Sequence, residues 1–159
     1  MSHQYETVQV ASLYTDTFKV EAPGLPVGRE VWQRRPGVFV RRGELNVEVS
    51  ANDVIPPEDL SAPARPSREL ISGQFGLVPR WVKSESDAKL RSTKLVNARS
   101  ETVTTSNNFR DAWLNGQRCI VPMMAFLEDD WRSGQAVRTR ISRIDGEPMG
   151  AAGLWCVFR

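Results

Sequence analysis

The chain has 159 residues, with 21 Lys and Arg against 19 Asp and Glu, one histidine and a formal net charge of +2. That length suits one domain with its own core rather than two, and the near balance of charge excludes a polycationic nucleic-acid coat. No apolar run approaches the ~20 residues of a membrane span, and the start Met1-Ser2-His3-Gln4-Tyr5 lacks the basic and apolar regions of a signal peptide, so a cytoplasmic protein is expected.

In chain order, the first regular signal is the alternation of apolar and polar residues from Val38 to Val49 around Arg42-Gly43-Glu44, which predicts a β-hairpin. Asp53 to Ser67 holds Pro56, Pro57, Pro63 and Pro66, leaving room only for an irregular connection. Leu70 to Val78 predicts a strand stopped by Pro79. Lys83 to Lys94 is charged and has a weak hydrophobic pattern, which favours a loop over a surface helix.

Val96-Asn97-Ala98-Arg99-Ser100-Glu101-Thr102 is the most informative stretch. Run as a strand, it sets Asn97, Arg99 and Glu101 on one face: an amide, a guanidinium and a carboxylate side by side. Such a face suits a polar, phosphate-bearing ligand, and a solvated strand edge accounts for it equally. Asn107 or Asn108 is then expected to cap a short helix with Phe109, Trp113 and Leu114 on one face and Gly116 just past its end. Cys119 to Leu127 is a dense apolar run broken by Pro122. Ala136 to Ile144 alternates again, Asp145-Gly146 predicts a turn, and Met149 to Phe158 predicts a last strand. The chain stops at Arg159 directly after that run, so further chain or a second molecule is expected to cover the strand.

These elements give an α+β class, predominantly β: a curved antiparallel sheet or partly open barrel with a few short helices. Cys119 and Cys156 lie far apart in apolar runs and read as buried free thiols. With His3 the one histidine, a zinc site is not expected, nor is a metal or other cofactor. The positive charges are mostly arginines, which grip phosphate bidentately; the same preference follows from a GC-rich genome.

Two further motifs carry chemistry. Phe75-Gly76-Leu77-Val78-Pro79-Arg80-Trp81 ends a strand and presents an arginine beside a tryptophan, a pair suited to phosphate contact and base stacking; a core tryptophan with a solvated neighbour is the plainer reading. Arg118-Cys119-Ile120-Val121-Pro122 leads through Phe126-Leu127 to Glu128. A carboxylate held in apolar surroundings serves as a general acid or base. Asp129 and Asp130 follow at once, however, and the local sequence favours an exposed acidic turn.

Together with Phe109, Trp113 and Ala152-Gly153-Leu154-Trp155, these motifs stand in the order found in the SRAP family, the SOS-response-associated peptidase-like proteins, which the chain resembles from Leu70 to Trp155. The resemblance implies a β-rich domain with a positively charged groove for single-stranded DNA, and a covalent link to abasic sites through an N-terminal cysteine. Residues 1–159 would then form a single SRAP-like domain lacking the family's C-terminal segment. By carry-over, Ser2 supplies the N-terminal amine, Asn97 positions the abasic sugar or residue 2, and Glu128 is the acid-base carboxylate. Arg99 holds a phosphate, Trp81 stacks beside the DNA with Arg80, and Arg118 adds a further DNA contact.

The sequence departs from the family at its start: Ser2 stands where the family has cysteine, and Gln4 where it has arginine. The later family histidine is absent up to Arg159, and Asp129 replaces a tryptophan. The resemblance therefore implies a single-stranded or abasic-site DNA-binding protein of the SOS response whose covalent chemistry is weakened or lost. The alternative is a non-enzymatic module, of phage or other mobile origin, that keeps only the fold. General peptidase activity is disfavoured, because no cysteine sits in an activating setting.

Overall fold

A computed structural model describes residues 2–43 and 67–159. Among these, eight strands form two antiparallel four-stranded sheets, without a closed barrel, and three short helices attach to them. The α+β, mainly β class expected from the sequence is what is found.

The first sheet runs in the order β2 (Glu30–Trp32), β1 (Gln4–Glu6), β6 (Ala125–Asp130), β7 (Val137–Ser142). The second runs β4 (Arg68–Gln74), β3 (Pro36–Arg42), β5 (Arg118–Met123), β8 (Met149–Leu154). β5 and β6 are separated by Met124 alone, so one continuous segment crosses from sheet to sheet. The Met124 N–H donates to the Glu6 carbonyl (2.9 Å), fixing the crossing point against β1.

Strand alternation assigns each side chain to a face. Tyr5, Val31 and Phe126 from the first sheet pack with Phe75, Val121, Met123, Met149 and Ala151 around the second, filling the space between the sheets. On the opposite, outer face of the second sheet, Val38 and Val40 are covered by Val8, Tyr14, Phe18 and Val20. That cover is the segment 8–20, which includes the helix α1 (Ala11–Leu13) continued by a single π turn through Phe18. Tyr14 is buried there with its hydroxyl donating to the Val8 carbonyl (2.8 Å).

Several expectations need correction. β3 pairs antiparallel with β4 in the register Val40↔Leu70 and Arg42↔Arg68; the expected return arm of a local hairpin at 45–49, and most of the proline-rich connection after it, lie outside the described residues. β4 ends at Gln74 rather than Val78, because Gly76 at φ +119° turns the chain away. Residues 85–92 are not a loop but the helix α2 (Glu85–Ser92). Ser84 caps it by accepting from the Asp87 N–H (3.2 Å), and the i,i+4 pairs Glu85–Lys89 (2.6 Å) and Asp87–Arg91 (2.8 Å) brace it. It buries only the small residues Ala88 and Ser92, which is why its hydrophobic pattern is faint.

The next helix, α3 (Arg110–Leu114), starts after Phe109 with no side-chain cap, and Leu114 is exposed. Neither Asn107 nor Asn108 caps it; Ser106 Oγ instead accepts from the Asn108 N–H (3.4 Å). Gly116 follows the helix at φ +68° as expected, and the turn at Gly146 has φ +74°. β8 ends at Leu154, short of the expected Phe158.

Gly76 couples these elements. A Cβ there would lie 2.1 Å from the Ser92 carbonyl oxygen, because the chain after β4 lies against the end of α2 and Leu77 N–H donates to the Leu95 carbonyl (2.9 Å). Gly76→Ala is expected to cost at least about 2 kcal/mol through clash and left-handed strain, read as a lower urea midpoint with an unchanged slope.

Across the first sheet, Arg140 on β7 forks onto Glu6 of β1 (Nε–Oε1 2.8 Å, Nη2–Oε2 2.7 Å). Those hydrogen bonds hold the Glu6 carboxyl below its ordinary range. The stabilisation is therefore present above the unfolded glutamate value of about 4.3 and is lost as pH falls through the depressed folded value. Arg140→Ala should lower the melting temperature at pH 7, with the gap to the parent protein closing progressively below pH ~4.

Candidate functional site

The N-terminal residues run beside β6 and the segment after α2. Ser2 is half-buried, its hydroxyl donating to the carbonyls of Gln4 (2.8 Å) and Leu127 (2.9 Å). The Asn97 Nδ2 donates to the Ser2 carbonyl (2.7 Å). Residue 2 is thus held from two directions, by its side chain against β6 and by its carbonyl against Asn97.

Residues 97–102 are not a strand. After Asn97 the chain winds into turns, with Thr102 N–H donating to Arg99 O (3.2 Å) and Ser106 N–H to Thr102 O (2.8 Å). The backbone satisfies itself locally there instead of joining a ladder. The expected common face of Asn97, Arg99 and Glu101 therefore does not form: Asn97 turns inward to Ser2, whereas Arg99 and Glu101 are exposed. Buried Val103 anchors the turn from below.

Glu128 is likewise not in an acidic turn. It sits within β6 opposite Thr139 of β7, half-buried and on the same face as Phe126. Its neighbour Leu127 supplies the carbonyl that holds the Ser2 hydroxyl, so Ser2, Asn97 and the Leu127–Glu128 backbone converge. These positions are far apart in sequence and are brought together only by the fold.

Trp81 follows Pro79-Arg80 and is 43% exposed. Its indole N–H donates to the Asn107 carbonyl (3.1 Å), and the Arg91 guanidinium lies 4.4 Å above its ring. Arg91 is itself aimed by Asp87 (2.8 Å), so α2 stiffens the tryptophan through a cation–π contact. Arg80 is exposed. Arg118 stands apart: it lies 4.0 Å over the Trp113 ring, on the outer face of the second sheet.

Two contributors were missed in the sequence. Arg91 lies in the segment read as a loop, although its i,i+4 spacing from Asp87 was a signal. Gln4 is buried and donates through Nε2 to Glu30 (2.8 Å) while its Oε1 accepts from Arg138 Nη2 (2.8 Å). Arg138 also reaches Asp129 (3.4 Å). No local pattern announces a pairing across 134 positions.

Neither thiol is a ready nucleophile. Burial pushes the Cys119 thiol up to about 12. Burial also raises Cys156, partly offset by its contact with the Val78 carbonyl (2.9 Å).

Comparison with known proteins places this geometry in context. A crystal structure of a protein from Bordetella bronchiseptica superposes with a TM-score of 0.72 at 34% identity, covering 97% of this chain and 63% of the other. The abasic site processing protein HMCES of Gallus gallus is 34% identical over 67 residues, 42% of this chain and 20% of its own length. The abasic site processing protein YoaM of Bacillus subtilis (strain 168) is 34% identical over 85 residues, 52% of this chain and 34% of its own length. The matched segments thus span a fifth to a third of these relatives. The family model for SOS response associated peptidase (SRAP) matches residues 28–159, and the chain belongs to that family.

Proposed function

We propose that residues 1–159 act as one domain that binds single-stranded DNA at abasic sites and engages the abasic aldehyde through the α-amine of Ser2 once Met1 is removed. The amine adds to the aldehyde carbon to give a carbinolamine. Glu128 donates the proton that lets the hydroxyl leave as water, and a protonated imine remains. Ser2 offers no thiol to close a stable ring, so the product is reversible. Arg99 and Arg80 contact phosphates, and Trp81 offers its uncovered ring surface to a base. Arg118 contacts a phosphate away from residue 2.

The observation that carries this reading is the hydrogen bond from Asn97 to the Ser2 carbonyl (2.7 Å), beside the strand that bears Glu128. It orients the residue whose amine must react, an effect that lowers the barrier by pre-paid positioning. Family membership and the likeness to abasic site processing proteins support the choice of abasic DNA as the substrate.

Incubation with abasic single-stranded DNA tests it. Adduct is expected only when borohydride is present to reduce the imine, and a stable adduct without reductant contradicts the reversible scheme. Asn97→Ala should lower the trapping rate about tenfold, the worth of one well-placed hydrogen bond, and Glu128→Gln about a hundredfold.

A second reading is favoured by the Ser2 hydroxyl being engaged with two backbone carbonyls: a non-catalytic module that binds DNA without condensing with it. Both readings expect Arg99→Ala to weaken binding severalfold and to reduce the logarithmic salt slope by about 0.7. Trapping separates them.

A further inference from the structure

A row of three arginines crosses the outer face of the second sheet. Arg68 on β4 stands directly opposite Arg42 on β3. β3 and β5 pair in the register Val40↔Ile120 and Arg41↔Cys119; one step further along it brings Arg118 to the other side of Arg42. All three share the face of Val40 and Ile120, since strand side chains alternate. Like charges set directly opposite each other on a sheet are destabilising.

Among the described residues no carboxylate pairs with any of the three. Glu69 is taken by Arg41, which faces the other side of the sheet and lies 4.5 Å over Trp155. Arg68 donates to the Phe18 carbonyl (3.1 Å), and Arg118 is laid over Trp113 (4.0 Å). These contacts aim two guanidinium groups without neutralising them.

The arginines rim a groove of about 320 Å³ whose floor is Phe18, Val40 and Ile120. Ile120 is 39% exposed there, unusual for an isoleucine in an inner strand. The volume falls at the lower end of the roughly 300–1,000 Å³ typical of small-ligand sites. Fixed guanidinium forks match phosphate oxygens, and an apolar floor containing an aromatic ring suits a base or sugar.

We propose that this groove is a nucleotide-binding site, separate from the Ser2 site, with the phosphate on Arg42, Arg68 and Arg118 and the nucleoside on Phe18 and Ile120. It lies on the opposite face of the second sheet from the core that packs against Tyr5 and Phe126. Its occupancy therefore does not depend on any chemistry at Ser2. The ligand is either a free mononucleotide or one nucleotide of a bound strand.

Arg42→Gln is the discriminating substitution, because Arg42 is exposed and central to the row. Melting curves at constant ionic strength should show inorganic phosphate and 5′-dAMP raising the melting temperature of the parent protein by about 2–4 °C near saturation. Calorimetry should find dAMP binding more tightly than phosphate. Arg42→Gln should weaken both about tenfold or more while leaving the ligand-free protein as stable as the parent or slightly more so. Arg42→Lys should restore part of the affinity.

A short oligonucleotide that competes with dAMP, and whose affinity also falls in Arg42→Gln, identifies a strand nucleotide; an oligonucleotide that leaves dAMP binding unchanged identifies the free mononucleotide. Two results overturn the proposal. One is a ligand-free Arg42→Gln protein clearly less stable than the parent, which means that protein groups already neutralise the row. The other is phosphate and dAMP responses unchanged by the substitution. Neither depends on imine trapping at Ser2.

Discussion

The structure depends on a three-residue strand lying in the interior of a sheet. Gln4, Tyr5 and Glu6 pair with Glu30–Trp32 on one side and, through Tyr5 and Glu6, with Phe126 and Ala125 on the other. The pairing continues past the C-terminal end of the strand on both sides, since Met124 N–H binds the Glu6 carbonyl (2.9 Å) and Thr7 N–H binds the Arg29 carbonyl (2.9 Å). A strand this short has little intrinsic preference to form, so it is held by what surrounds it. Tyr5 lies between the sheets, edge-on to Phe75 with centroids 5.3 Å apart. Its hydroxyl would lie 2.4 Å from a Cβ at Gly37, so only glycine allows β3 to pass there. With β1 fixed in this way, the position of Ser2 follows, and Asn97 and Leu127 complete its capture.

The two faces of the first sheet divide the labour. The inner face is apolar around Tyr5, Val31 and Phe126 and includes Glu128 near its β7 side. The outer face carries a chain of polar partners from Glu30 through Gln4 and Arg138 to Asp129, with the Glu6–Arg140 fork beside it. Charged hydrogen bonds of this kind tie β7 to β1 across β6 and so brace the strand that carries Glu128. Arginine is used in the same way elsewhere: Trp81, Trp113 and Trp155 each lie under a guanidinium at 4.0–4.5 Å. Such contacts stiffen large side chains at the surface.

What the sequence made legible was what is local and periodic. The alternation of Val38–Arg42 and Val137–Ser142, the apolar run through β5 and β6, and the turns at Gly116 and Gly146 all announced themselves. The β1 and β2 strands did not, because three residues are too few for a period to show. Helix α2 was hidden for a different reason: it buries an alanine and a serine, so its signal lay in the Ser84 cap and the charge spacing instead of in hydrophobicity. The Asn97–Glu101 segment was misread in conformation because alternating residue types also occur in turns, where backbone hydrogen bonds close within three or four residues. Glu128 was misread because two aspartates after it looked like a turn, although the β6 pairing with β7 runs on through Asp130. The meeting of Ser2 with Asn97 and with Leu127, the neighbour of Glu128, could not be read from the residues; no spacing argument reaches across 95 or 125 residues.

The central claim is that the backbone amine of residue 2, held by Asn97 and β6, is the group that meets an abasic aldehyde. Locating the covalent mark tests it most directly. The protein is incubated with abasic single-stranded DNA, reduced, digested with protease and nuclease, and the modified peptide is sequenced by tandem mass spectrometry. The account predicts an N-terminal peptide that has lost Met1 and carries a reduced sugar remnant on the Ser2 nitrogen. A remnant on the side chain of any lysine, or an unmodified Ser2 in protein that still binds the DNA, would contradict it.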